Sequence, residues 1–482
     1  MLKATTTLLA FVAAVGVLTV PSVSQTVTKA KTEVTFSKDI APLLQRSCQN
    51  CHRPDSVAPM SLLTYEQARP FARAMKQKTA LARTQYQRGA MPPSFYEKNI
   101  GIQKLKDDIS LSDEEIAKFA AWADEGAPEG NKADLPPPLK FASSDEWTLG
   151  KPDIIIKSPI IHVKGIGPDD WGVERSWDRQ PLGLTEDRYI ASVEWKEVTT
   201  SRGSKRGGTV GGRFVFHHSN ASILNPGEAE DPTIDAESGT VATALPGQEV
   251  GRNGDLFPAN AGRLAKAGSY LAWGNTHIHS PGVAGDDRDA HLEIGLRFHP
   301  KGYKPEFQVV PIGFGRSEIV VKASNAEQKT DAYYVTETPI KLVNFEPHLH
   351  AAGVRMCLEA VEQRTIETLS CAGYDHNWVK NYYYDDNAAP LLPKGTILHA
   401  IAWWDNTPKN ANILESRNTT TWDRRSVGNM FIVFEQAIAL TDEQYRAEIA
   451  KRRQYQEATG QPPIGCPGCF LVPPGSPVVA KK

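Results

Sequence analysis

Cys48-Gln49-Asn50-Cys51-His52 packs two thiols and an imidazole into five residues. Thiols spaced C-x-x-C can each add to a vinyl group of one haem, and the adjoining histidine is then placed to ligate its iron. A redox dithiol or half of a zinc site would use the same cysteines, but neither needs the histidine beside them. The pentad predicts covalent haem c on Cys48, Cys51 and His52, inside a small helical domain.

The flanks agree with that prediction. Residues 34–48 read as an amphipathic helix, capped by Ser37, that runs straight into the pentad. A second helical pattern over 64–88 is interrupted at Pro70. Ser112 and Glu115 have capping-box spacing and open a third helix, with Ile116, Phe119, Ala120 and Trp122 as its apolar face. A low-spin haem takes a second axial ligand, and a thioether there raises the reduction potential. Met60, Met75 and Met91 compete for that role. Met75 lies within a helical pattern and Met60 follows closely on His52, whereas Met91 opens the rigid Met91-Pro92-Pro93 loop and is the preferred ligand. In helix, pentad, Met-Pro loop and closing helix, residues 33–134 resemble a class I type cytochrome c domain. The resemblance implies an all-α fold with His52 and Met91 on opposite haem faces.

The whole chain of 482 residues is long enough for several cores, since a single domain seldom exceeds ~250–300 residues. Its net charge of -2, with 23% charged residues, offers no electrostatic attraction to nucleic acid or an anionic membrane. Residues 1–24 combine Lys3, an apolar run over 8–20 and the small residues Ser22-Val23-Ser24, the pattern of a secretory signal peptide. The expectation is a periplasmic or secreted protein with no membrane span after cleavage, a compartment that suits haem c attachment and disulfides.

Gly126-Ala127-Pro128-Glu129-Gly130 closes the helical part, and a proline-rich linker over 135–148 follows. Beyond it, short apolar runs alternate with Gly, Pro, Asn and Asp as far as about residue 440, the punctuation of all-β structure. Two sandwiches are expected, over 149–325 and 326–440, parted where alternation fails near 322–331. The stretch 225–255 reads as an exposed, acidic loop. Residues 441–482 form a tail, opened by a helix with Thr441 and Gln444 in capping-box spacing; its Cys466-Pro467-Gly468-Cys469 lacks a following histidine and predicts a local disulfide or metal clip.

Within the β region the histidines cluster. His217-His218, His277-Ile278-His279 and His348-Leu349-His350 lie in three separate strand-like segments, while His162, His291, His299, His376 and His399 stand alone. In a strand, residues i and i+2 share a face, so His-x-His offers two imidazoles to one metal without distorting the backbone. Adjacent His217 and His218 would need a bulge or a strand end to act together. Imidazole sets suit copper, zinc, iron or nickel, and a thioether tips the choice to copper; Met430, ahead of an apolar strand, is the candidate.

This ligand order resembles that of the copper type II, ascorbate-dependent monooxygenases, which include peptidylglycine and dopamine hydroxylating enzymes. The resemblance implies two jelly-roll-like sandwiches holding two copper ions. His217 and His218, with His279 preferred over His277, match the electron-storing site. His348, His350 and Met430 match the oxygen-binding, catalytic site. It further implies dioxygen and a small-molecule or peptide-like substrate as partners, with the haem domain relaying electrons from an external donor. Only Cys357 and Cys371 are available for a disulfide in the second sandwich. The alternative expectation is an electron-transfer or binding protein whose sandwiches are catalytically silent.

Overall fold

The computed structural model describes residues 33–460 except 55, 57, 82–88, 142–145, 202–214, 228–243, 250–253, 363–364, 424 and 426. The expected signal segment at 1–24 and the tail cysteines Cys466 and Cys469 lie outside the described residues. Helices occupy most of the ordered elements up to Asp134, and strands those from Ile154 to Ala439.

Phe36–Ile40 and Ala41–Ser47 form a continuous helical run into the pentad. Its N-cap is Thr35, not the expected Ser37. The Ser37 hydroxyl is buried and donates to the Glu129 carbonyl at 2.9 Å, tying the first helix to the end of the helical part instead of capping it. Pro70 falls in the short 3-10 turn Arg69–Phe71 between Tyr65–Ala68 and Ala72–Ala80, where its missing N–H interrupts neither helix. Asp113–Asp124 opens with the expected capping box between Ser112 and Glu115. Its Ile116, Phe119 and Trp122, spaced for one helical face, pack with Phe36, Ile40, Leu44, Leu62 and Met75 in one cluster. Each such side chain buried contributes roughly 1.5–3 kcal/mol.

The β region is a pair of sandwiches that share a sheet. One face of the first is a five-stranded sheet that includes Phe216–Leu224, Gln248–Glu249 and Tyr270–Ile278; it closes a core of Trp195, Phe216, Ile223, Leu271 and Ile294. One face of the second is a four-stranded sheet of Gln328–Val335, Gly353–Glu362, Thr365–Gly373 and Ile397–Trp404, over a core of Phe314, Phe345, Leu358, Trp404 and Phe431. A 12-stranded sheet serves both. It is continuous because Phe307–Gly315 pairs antiparallel with Phe431–Ala439 and parallel with Ala261–Ala265.

The cores therefore part inside one strand. Phe307 and Val309 pack in the first core, Ile312 and Phe314 in the second. The loss of alternation at 322–331 marks a connection between Val320–Val321 and Gln328–Val335, and both Val321 and Ala332 belong to the second core. Part of the stretch expected to be an exposed loop is also a buried strand: Gln248–Glu249 pairs with His218 and Ser219.

One segment of the helical part docks on the second sandwich. The backbone N–H groups of Glu97 and Ile102 donate to the carbonyls of Cys371 and Leu369, and that of Lys106 donates to Tyr383. Arg355 clasps the buried Glu97 carboxylate with two bonds of 2.5 and 2.8 Å. Gly101, at φ +63°, has room for no side chain, because a Cβ would lie 2.3 Å from the Leu369 carbonyl oxygen. The Cys357–Cys371 disulfide joins facing residues of the same sheet. Asp442–Thr459 is the expected tail helix, with the Thr441–Gln444 capping box in place. Among the described residues no helix is long and apolar enough to cross a membrane.

Candidate functional site

The two sandwiches bring their histidines together. His217 and His218 lie on Phe216–Leu224 and His277 on the neighbouring Tyr270–Ile278, with His279 just beyond its end. His218 faces His277 and Phe216 faces Ile278, so His217 is the extra residue of a β-bulge. A bulge lets adjacent side chains turn to one side, and His217, His218 and His277 offer ligand atoms within 4.8 Å of one another. From the second sandwich come His348, in Asn344–Leu349, and His350, in the turn that follows.

His376, in the loop after Thr365–Gly373, lies between the two sets. Its ring centroid is 4.9 Å from His217 and 5.5 Å from His350. His218 and His348 also meet, at 6.5 Å. Seven imidazoles thus form one contiguous cluster, buried except at His279, which is 35% exposed. Leu349 pairs with Phe431, and Met430, just ahead of that strand, is buried.

Carboxylates and rings hold these imidazoles in place. Glu249 Oε1 lies 3.2 Å from His348 Nδ1, and Asp169 Oδ1 lies 3.1 Å from His279 Nδ1. Asp169 is also 3.6 Å from His277 Nε2. Trp171 stacks on the His277 ring at 4.4 Å. Burial alone raises the Asp169 pKa, but the bonds from His277 and His279 outweigh it and hold the carboxyl below its usual range.

Burial, reinforced by neighbouring imidazoles, holds His217, His218 and His350 far below the usual histidine pKa, and burial also lowers His277. Neutral imidazole is the form that binds a metal. Nδ1 of His350, Nδ1 of His376 and Oε2 of Glu249 are buried without a hydrogen-bond partner. An unmet buried polar atom costs about 1–3 kcal/mol, and a metal ion would satisfy the nitrogens. Four histidines elsewhere already have protein partners: His162 with Asp289, His291 with Glu293, His299 with the Ala261 carbonyl, and His399 with Asp331 and Glu359. A donor set of imidazoles suits copper, zinc, iron or nickel.

At the pentad, Cys48 and Cys51 are free thiols. Burial, with the nearby Cys51, pushes the Cys48 thiol up to about 12, opposite to the lowered pKa of a redox-active C-x-x-C pair. Burial also raises Cys51, against the opposing charges of Lys380 and Arg53. His52 is buried, with Nδ1 3.3 Å from the Met60 carbonyl; with its proton on Nδ1 that contact leaves Nε2 free for iron. Unbridged thiols beside an oriented imidazole fit haem attachment. Lys380 belongs to the same loop as His376, so a few residues connect the histidine cluster with the surroundings of Cys51.

No model of a known protein family matches this chain, and no curated protein does. Similar solved structures include the cowpea mosaic virus top component, at 10% identity over 63% of this chain and 94% of that chain, with a TM-score of 0.26. The major capsid protein P2 of bacteriophage PM2 is another, at 9% identity over 59% of this chain and 100% of that chain, with a TM-score of 0.24. Likeness this low bears on neither fold nor function.

The structure brings together every histidine predicted for the two copper sites, but as one cluster. Ligand atoms of His217, His218 and His277 come together, as do those of Asp169, His277 and His279, and the ring of the preferred His279 lies 4.7 Å from that of His217. Met91, preferred as haem ligand, is 39% exposed, while Met60 packs half-buried against the helical core and Met75 lies within it. His376, Glu249 and Asp169 were not legible. A lone histidine in a polar loop, a glutamate in a two-residue strand and an aspartate before Trp171 carry no periodicity to mark them.

Proposed function

We propose that the chain is an exported haem- and copper-containing oxidoreductase that hydroxylates a substrate C–H bond with dioxygen, drawing electrons from an external donor through a cytochrome c domain. The observation that carries this reading is the buried cluster of seven imidazoles contributed by both sandwiches. Cys48 and Cys51 would carry the haem, and His52 with Met91 would ligate its iron. His217, His218 and His277, with His279 at the edge, would hold one copper. His348, His350 and Met430 would hold the other.

When bound, the haem supplies one-electron transfer and the copper ions supply dioxygen activation. The chain's own residues prepare the site. Burial keeps the imidazoles neutral, so their lone pairs are available at neutral pH. Glu249 orients His348, Asp169 orients His279, and Trp171 fixes the plane of His277. The docked segment around Glu97 and Ile102 holds the helical part against the sandwich that carries His376 and Lys380, as electron entry requires. Substrate, small or peptide-like, would reach the cluster where the two sandwiches meet, the usual place for a pocket.

Oxygen uptake driven by a reduced electron donor tests the proposal. Copper-loaded protein should consume oxygen in proportion to hydroxylated product, and chelated protein should not. Equal uptake by the two forms would favour an electron-transfer protein with silent sandwiches.

A further inference from the structure

We infer that His376 is itself a metal ligand, and that it joins the two histidine sets into one binuclear centre. The inference rests on the metal-binding reading above and adds a residue that the ligand pattern in the sequence does not contain.

The geometry is specific to this residue. His376 is the one histidine of the cluster outside the three sequence groups, and its ring touches a member of each sandwich's set: His217 at 4.9 Å and His350 at 5.5 Å. It is buried, and its Nδ1 has no hydrogen-bond partner. A packing role would be met more cheaply by an apolar side chain, because a buried imidazole nitrogen without a partner is costly. His399 shows how this fold accommodates a histidine with no such vacancy: both ring nitrogens meet carboxylates and the ring stacks on Tyr333 at 4.5 Å. The loop is itself held, with the backbone N–H of Tyr374 bonded to the Val354 carbonyl and Val379 in the second core, so His376 is fixed where a ligand would be needed.

The test is a copper titration of the chelated full-length protein, read by elemental analysis and by the nitrogen hyperfine structure in the electron paramagnetic resonance of Cu(II). Wild type, His376→Ala, His376→Gln and the control His399→Ala are compared. The Gln variant keeps a polar side chain of similar length should the Ala variant fail to fold. Two coppers per wild-type chain are expected. Either His376 variant should bind one of them at least about tenfold more weakly and lose nitrogen coupling, whereas His399→Ala should match wild type. Two coppers with unchanged affinity and spectrum in the His376 variants would overturn the assignment of His376 alone. A wild type that binds no copper would overturn the metal reading as a whole.

Discussion

The cysteine pentad and the histidine cluster are built on opposite principles. The first is contiguous: Cys48, Cys51 and His52 sit at the end of one helical run, and the haem proposed for them follows from spacing alone. The second is assembled from several strands and a loop in two sandwiches, and none of its sequence groups contains the whole. A local motif points to a cofactor before the fold is known, whereas a dispersed one becomes specific only when burial and contact show which imidazoles lack protein partners. His399 and His376 make the point, since both are lone histidines in the sequence and only the structure separates them.

If the two regions are independent in construction, each can be broken separately. Replacing Cys48 and Cys51 with serine should abolish covalent haem entirely, read as haem staining after denaturing electrophoresis, while copper binding by the histidine cluster persists. Simultaneous loss of both would mean that the helical part supports the cluster's fold.

The link between the regions should be nearly as sensitive. Arg355→Met leaves the Glu97 carboxylate, 4% exposed, without its partner; stranding a buried charge costs ~3–5 kcal/mol. Urea unfolding should report that loss, and limited proteolysis should begin in the helical part. A stability within 0.5 kcal/mol of wild type, the usual range for a surface change, would show that the clasp contributes little (on the order of the surface values).

Removing the Cys357–Cys371 bridge tests the platform beneath that link. The disulfide closes a short loop, with a separation of 14 residues, and should stabilise by about 3 kcal/mol. The double alanine variant should melt at lower temperature with the histidine cluster still competent for copper.

The smallest effect concerns pH. Burial pushes Glu367, on the strand that receives Gly101, up to about 7 from an ordinary 4.5. The folded state therefore holds a proton that the unfolded state has released, and stability falls as pH rises from about 4.5 to about 7. Glu367→Gln should flatten that part of the stability profile; an unchanged slope would assign it to other groups.

Much of the architecture was readable from local rules. Capping boxes at Ser112 and Thr441, the interrupted helix at Pro70 and the all-β punctuation all follow from neighbouring residues. The need for a bulge beside His217 was also legible, because the period of a strand forbids adjacent residues on one face. Tertiary choices were not. The sandwiches divide inside Phe307–Gly315, whose residues pack into two different cores while its backbone keeps one sheet. Ser37 has the chemistry of a cap but spends its hydroxyl on a carbonyl distant in sequence. Glu249 and Asp169 act through histidines from other strands, so their roles appear only when those strands are side by side.

The proposed function requires a haem site and a metal centre in one chain, the second assembled by histidines from both sandwiches. Elemental analysis of the purified, exported protein tests it most directly. One iron and two coppers per chain are expected; iron without copper, in protein exposed to copper during maturation, would contradict it.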